Sequence, residues 1–272
     1  MPEFEDSRPF AETNALKPFI STDDDSMSMQ FDLKLIQSRM RLDDPIALDL
    51  QYTRAMMAFL MLNPEPRSIL MVGLGGGSLA KYCHAHLPQA DITVVEINPH
   101  VIEVRDAFKV PPDSDRFRVV CGDGADFIAK TPRGTHDLIM IDGFNYDGQP
   151  ETLVSVDFYK SCRKALAESG ILVVNLQDIE PECTKLVGRI WQVFGEPVMA
   201  LDIECGGNRI VVASTDEVFR DCAGSFGKRW AELSAEHKET LRFTTASIEY
   251  ELEPWHAAKK IPKVHKPKKS AR

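Results

Sequence analysis

The sequence predicts an α/β fold: a seven-stranded, mostly parallel sheet with helices on both faces, behind a short N-terminal β/helical extension. Two observations carry that expectation. Between residues 68 and 176, apolar strand-like runs alternate with helix-like stretches, the pattern of a parallel sheet with right-handed crossovers. Four successive runs, at 69–77, 92–96, 119–124 and 138–142, each end in a glycine or a carboxylate. Ligands of open parallel sheets sit beyond the carboxyl ends of the strands, so Gly, Glu, Asp and Asp there outline one pocket. The sheet is therefore expected to be Rossmann-like.

Residues 1–25 are polar and irregular and end in Asp23, Asp24 and Asp25, while Met27 to Leu35 reads as a small sheet or hairpin. Residues 46–62 read as a helix with Ile46, Leu50, Ala55, Met56, Phe59 and Leu60 on apolar positions, its methionines filling core. Pro64 and Pro66 break it. The glycine-rich turn after the first parallel strand opens a helix near Ser78. A helix follows near 182–194. Segments 197–204 and 209–214, joined across Gly206, Gly207 and Asn208, read as a hairpin that completes seven strands. Beyond 216, Phe219, Phe226 and Trp230 lie on a helical stretch followed by an irregular tail. The divisions expected are an N-terminal extension with a small β segment and helix (1–62), a Rossmann-like domain that carries the pocket (63–216), a helical segment (217–258) and a basic, proline-broken, disordered tail (259–272).

A chain of 272 residues can bury a sizeable core, and nothing in it approaches the apolar length of a membrane span. The formal charge of −9 argues against nucleic acid as a partner and suits a cationic small substrate. The first residues lack the basic and apolar regions of a signal peptide, so a cytoplasmic location is expected. Six cysteines without Cys-x-x-Cys spacing disfavour zinc and a disulfide framework; Cys121 and Cys162 are expected to pack as small apolar groups. His84 and His86, two residues apart on a helix, face different ways and read as surface histidines rather than metal ligands.

The pocket residues have a common chemical sense. Gly73, Gly75, Gly76 and Gly77 permit positive φ and let a ligand approach main-chain N–H groups ahead of a helix. Glu96 follows at the interval of an acid that accepts hydrogen bonds from a ribose diol, and a carboxylate there would repel the 2′-phosphate of NADP. Leu79, Ala80 and Lys81 supply no third glycine of the dinucleotide fingerprint. With Asp123 and Asp142 at the next strand ends, the set points to an adenosine-containing ligand.

These residues carry a family resemblance. Gly73-Leu-Gly-Gly-Gly77, Val94-Val-Glu-Ile-Asn-Pro-His-Val-Ile102, Gly122-Asp-Gly-Ala-Asp-Phe127, Ile139-Met-Ile-Asp142, Phe158-Tyr159 followed by Lys164-Ala-Leu166, and the stretch from Gly170 to Gln177 make the chain resemble the spermidine synthase (polyamine aminopropyltransferase) family from about Gln30 to Val212. That family has the class I S-adenosylmethionine-dependent methyltransferase fold. The resemblance implies transfer of an aminopropyl group from decarboxylated S-adenosylmethionine to a polyamine acceptor such as putrescine, without a metal, by a homodimer. It implies that Glu96 holds the ribose, Asp123 the adenine amino group, and that Asp142 is the catalytic carboxylate. Gly73, Gly75, Gly76, Gly77, Ile97 and Gly124 would complete the nucleoside site and Gln30 and Gln37 would close over it; Tyr52, Tyr146 and Asp147 are the residues read here as candidates to meet the substrate.

Three positions depart from the family pattern. Gly76 stands where its glycine loop carries an aspartate that meets the aminopropyl ammonium, Arg54 replaces an acid, and Asn145 replaces a second acid after the fourth strand. Asp43, Asp44 and Asp147 are candidate partners for a diamine; the bland reading of Asp43 and Asp44 is a solvated turn. Two rivals stay open. A methyltransferase would use intact S-adenosylmethionine, whose carboxylate calls for a cation such as Arg54 or Lys81. A non-catalytic homologue would keep the nucleoside pocket alone.

Overall fold

The computed structural model describes residues 16–31, 36–144, 148–203 and 207–257. Strands β1 (Phe19–Thr22), β2 (Ser26–Gln30) and β3 (Ile36–Arg41) form an antiparallel sheet in that order. It is larger than the hairpin expected over 27–35, because the acidic run is a turn: Asp23 Oδ1 accepts from the N–H groups of Asp25 and Ser26 and sends the chain back from β1 into β2. Met29 and Met40 anchor this sheet to the core at 0% and 2% exposure.

The helix expected from 46 starts only at 51. Asp44 Oδ1 accepts from Ile46 N and Ala47 N, so residues 44–47 form a turn. Helix α1 (Gln51–Ala55), a 3-10 turn (Met56–Ala58) and α2 (Phe59–Leu62) then follow. Every residue from 55 to 62 is buried, so this segment passes through the interior and has no solvent face.

The main sheet contains β4 (Ser68–Val72), β5 (Asp91–Glu96), β6 (Phe117–Cys121), β7 (His136–Ile141), β8 (Leu166–Gln177), β9 (Val198–Ile203) and β10 (Asn208–Ala213), ordered β6-β5-β4-β7-β8-β10-β9. The first five are parallel; β10 runs antiparallel to both β8 and β9. The chain winds outward from β4 to β6 and then returns to β7, so the order reverses between β4 and β7. A crevice opens at such a switch point.

Strand alternation feeds two apolar layers. Ile69 and Met71 face one, Leu70 and Val72 the other. The first layer takes α2, α3 (Ser78–His86), α4 (Pro99–Glu103) and the C-terminal helices, and the second takes α5 (Gly124–Lys130), α6 (Val156–Ala165) and α7 (Glu182–Phe194). Helix starts carry local signals: Asn98 before Pro99, Asp123, and Ser155 each accept from a first-turn N–H.

Past 216 the chain is helical, as expected over 217–258. Helices α8 (Asp216–Glu232), α9 (Ala235–Leu241), α10 (Thr245–Glu251) and α11 (Glu253–Ala257) follow, with Trp255 packed on Phe219 at 4.8 Å. Met29, Met71, Phe219 and Trp255 belong to one continuous core, so the extension, the sheet and these helices share it. Two expectations are corrected. Cys121, at the end of an edge strand, is exposed, whereas Cys162 is buried. His84 and His86 are half-buried, set against Phe117 and Tyr82. Among the described residues no helix is long and apolar enough to cross a membrane. The tail expected over 259–272 lies outside the described residues.

Candidate active site

A cavity of about 760 Å³, a usual size for a small-molecule site, opens at the switch point. Gly73 follows β4 at φ +95°, and a Cβ there would sit 2.2 Å from the Asp142 carbonyl oxygen. Only glycine lets these two strand ends meet so closely. Gly73 and Gly75 line the cavity. Gly76 and Gly77 do not, contrary to expectation: a Cβ on Gly76 would meet Ser38 Oγ at 2.6 Å and Phe108 at 2.8 Å, and one on Gly77 would meet Val110 at 2.4 Å. They shape the loop from behind.

Glu96, at the end of β5, is 8% exposed. Its Oε2 accepts from Leu74 N and its Oε1 from Asn98 N, both at 2.8 Å. Burial raises its pKa, and the surrounding backbone N–H groups pull it back. Leu74 and Asn98 each occupy one acceptor position, and the N–H groups of Gly75 and Ile97 also favour its charged form. Asp123 caps α5, and both of its bonds, from Ala125 N and Asp126 N, go to Oδ1. Ile97, 54% exposed, and Gly124 line the same end.

Asp142, directly after β7, lines the same cavity. Asn175 Nδ2 donates to its Oδ1 at 2.8 Å, and Tyr52 Oη donates to Oδ2 in a longer contact of 3.4 Å. Asn175 is itself held: its side-chain oxygen accepts from Asn208 Nδ2 at 2.9 Å, and its carbonyl accepts from Gln149 Nε2 at 2.6 Å. Burial pushes Asp142 up to about 6; the Asn175 and Tyr52 bonds hold it down, and the Glu96 charge adds to the rise. Burial and the Asp142 charge likewise raise the Tyr52 phenol well above its usual range. The sequence reading missed Asn175 and Asn208. An Asn at 1% exposure within the apolar run of β8 was the available signal, since buried amides need partners.

Other expectations are sorted by the same geometry. Gln37 lines the cavity, but Gln30 does not; its strand neighbours Met29 and Phe31 do, and alternation turns Gln30 to the other face. Asp43 pairs with Arg41 on the surface and Asp44 holds its turn, so neither reaches the cavity. Arg54 Nε donates to Leu48 O at 2.5 Å, and buried Lys81 donates to Phe108 O at 2.8 Å, where desolvation lowers it to about 8. Neither cation lines the cavity. Asn145, Tyr146 and Asp147 lie outside the described residues.

The resulting electrostatics are one-sided. Among the described lining residues, Glu96, Asp123, Asp142 and Asp178 are acids, and none is Lys, Arg or His. Asp178 has Arg209 behind it at 3.1 Å, a guanidinium shared with Glu180 and Asp202. Asp178, Glu180 and Cys183 are close enough together to ligate a cation, but this guanidinium already serves the two carboxylates.

Comparison with known proteins follows the same lines. The spermine/spermidine synthase domain family matches residues 50–193. A polyamine aminopropyltransferase of Chromobacterium violaceum is 36% identical over 241 residues, covering 84% of this chain and 92% of that one. The crystal structure of a probable spermidine synthase from Corynebacterium glutamicum has a TM-score of 0.64 at 19% identity, covering 83% of this chain and 89% of that chain. Human methyltransferase-like protein 13 in complex with SAH has a TM-score of 0.58 at 26% identity, covering 68% and 95%.

Proposed function

The chain belongs to the spermine/spermidine synthase family, and from that premise we propose that it transfers an aminopropyl group from decarboxylated S-adenosylmethionine to an amine such as putrescine. The observation that carries this reading is the sign of the cavity: acids line it and no described cation does. The decarboxylated donor is a sulfonium with an ammonium tail, and the acceptor is a diammonium; every charge to be bound is positive. Intact S-adenosylmethionine adds a carboxylate, which would face Glu96, Asp123, Asp142 and Asp178 with Arg54 and Lys81 engaged elsewhere.

In this reading Glu96, held by backbone N–H groups at the end of β5, takes the ribose diol, and Asp123 takes the adenine amino group. Ile97 covers the base, and Gln37 closes the site. At the other end Asp142, with Tyr52, receives the acceptor nitrogen and holds it in line with the methylene beside sulfur. The new N–C bond forms as the C–S bond breaks. Sulfur keeps the electron pair and becomes the neutral thioether of 5′-methylthioadenosine; the nitrogen's lone pair for this attack is freed beforehand, when the acceptor ammonium gives a proton to Asp142 and on to water. An alkylammonium titrates near ~10.4 and Asp142 at about 6, so this transfer is uphill by about 6 kcal/mol. That cost fits beneath the ~16 kcal/mol barrier of a turnover of about 10 per second. Asp142 thus orients the amine and relays its proton. The family resemblance also implies a homodimer, with the amine as its small-molecule partner, and cysteines without paired spacing suit a reducing, cytoplasmic location.

The test is calorimetric titration with the decarboxylated donor, intact S-adenosylmethionine and 5′-methylthioadenosine, then mass spectrometry with putrescine. Preference for the decarboxylated donor and an aminopropyl product is expected. Preference for the intact form with a methylated product would overturn the reading, and nucleoside binding without product would leave only the pocket.

A further inference from the structure

Asn175 is placed between two groups that make opposite demands on an amide. Asp142 Oδ1 needs a donor, and Asn208 Nδ2 is one. A side-chain amide has a carbonyl end and an NH2 end of nearly equal size, so shape alone fixes neither orientation. Here Asn208 donates to the carbonyl end, and the NH2 end is left to Asp142. Gln149 clamps the Asn175 carbonyl in the backbone and holds the pivot still.

We infer that Asn208, acting through Asn175, is a positioning residue for Asp142: two amides in series keep an N–H donor against the carboxylate. The inference rests on the reading of Asp142 as the group that meets the acceptor amine. It assigns a role to the start of β10, a strand that contributes nothing to the nucleoside end. Without the Asn208 donor, Asn175 is free to turn its oxygen toward Asp142. A carbonyl dipole there opposes the carboxylate charge, and the proton is then held to higher pH. Among the described residues, the titratable groups around Asp142 are Tyr52 from α1 and Glu96 from β5, with Asp123 and Asp178 on the same cavity wall; none of these is a cation that would replace the lost donor.

The test is a double-mutant cycle of Asn208→Ala and Asn175→Ala, read by the carboxyl carbon NMR titration of Asp142 and by kcat/KM against pH. Asn208→Ala alone is expected to raise the Asp142 midpoint by about one pH unit. That shift lowers kcat/KM about tenfold below pH 6 and less than twofold above pH 8, with 5′-methylthioadenosine affinity within twofold of wild type. In the Asn175→Ala background the same substitution should leave the midpoint unmoved. An unmoved midpoint in the single variant, or an equal shift in both backgrounds, overturns the inference. A loss of rate uniform in pH would mark mere structural damage and overturn it too. Asn208→Val, which suits a strand and donates nothing, repeats the test if the alanine variant does not fold. The NMR midpoint reads the relay even in a protein that makes no aminopropyl product, so its failure is distinct from failure of the proposed reaction.

Discussion

The two ends of the cavity are held by different kinds of bond. At the end proposed for the nucleoside, Glu96 and Asp123 are fixed by backbone N–H groups of Leu74, Asn98, Ala125 and Asp126, mostly two or three residues away. At the end proposed for the acceptor, Asp142 is fixed by side chains 33 and 90 residues distant, one of which leans on another 33 residues further on. Backbone donors survive substitution of the residues that carry them. Side-chain donors do not. The first end is therefore robust by construction, while the second can be retuned by single changes on α1, β8 or β10.

The sharpest break in this comparison is Asp142→Asn, which should cut kcat by at least about 100-fold and leave 5′-methylthioadenosine affinity within twofold, by steady-state kinetics and calorimetry. Equal losses would place Asp142 at the nucleoside end. Glu96→Gln should do the reverse and weaken every nucleoside ligand by roughly 1.5–3 kcal/mol, since a charge-assisted hydrogen bond is lost. Undiminished titration would remove it from the ribose.

Asp142 also has a stability signature. Its pKa is raised from 3.8 to about 6, so the folded state holds the proton more tightly than the unfolded chain does. The stabilisation is complete below 3.8 and is lost as pH rises through about 6. Above that the buried charge costs up to about 3 kcal/mol. Asp142→Asn should accordingly melt higher than wild type at pH 8, and thermal melts should converge below pH 4. A constant difference across that window would refute the shift.

Smaller effects bear on the departures from the family pattern. Gly76→Asp would overlap Ser38 and the fully buried Phe108, so it should destabilise by about 1–3 kcal/mol in denaturant melts rather than improve donor binding. The smallest effect expected is Arg54→Glu. Because Arg54 serves the Leu48 carbonyl outside the cavity, KM for putrescine should change less than twofold; a clear gain would show that the cation had been repelling diamines.

That same contrast decides how much was legible beforehand. The strand ends at Gly73, Glu96, Asp123 and Asp142 could be read because each closes a short apolar run, although the partners that hold Asp142 are distant in sequence. The helix from 182 to 194 and the closing hairpin were equally local. Asn208 could not be paired with Asn175 from sequence, because their contact exists only once β10 lies beside β8. Gln30 was misplaced by one strand face, and Gly76 by the close approach of Ser38 from β3, which no glycine motif encodes.

The absence of cations from the described cavity wall has a wider meaning for a protein among metabolites. The amines it would meet most often are amino acids, and each carries a carboxylate on the same carbon as its amine. Putrescine differs from its amino-acid parent, and the decarboxylated donor from intact S-adenosylmethionine, by the loss of that one group. On the proposed reading, a wall whose described charges are all acidic applies a single criterion to both substrates, and each precursor would be turned away by the charge that its own decarboxylation removes.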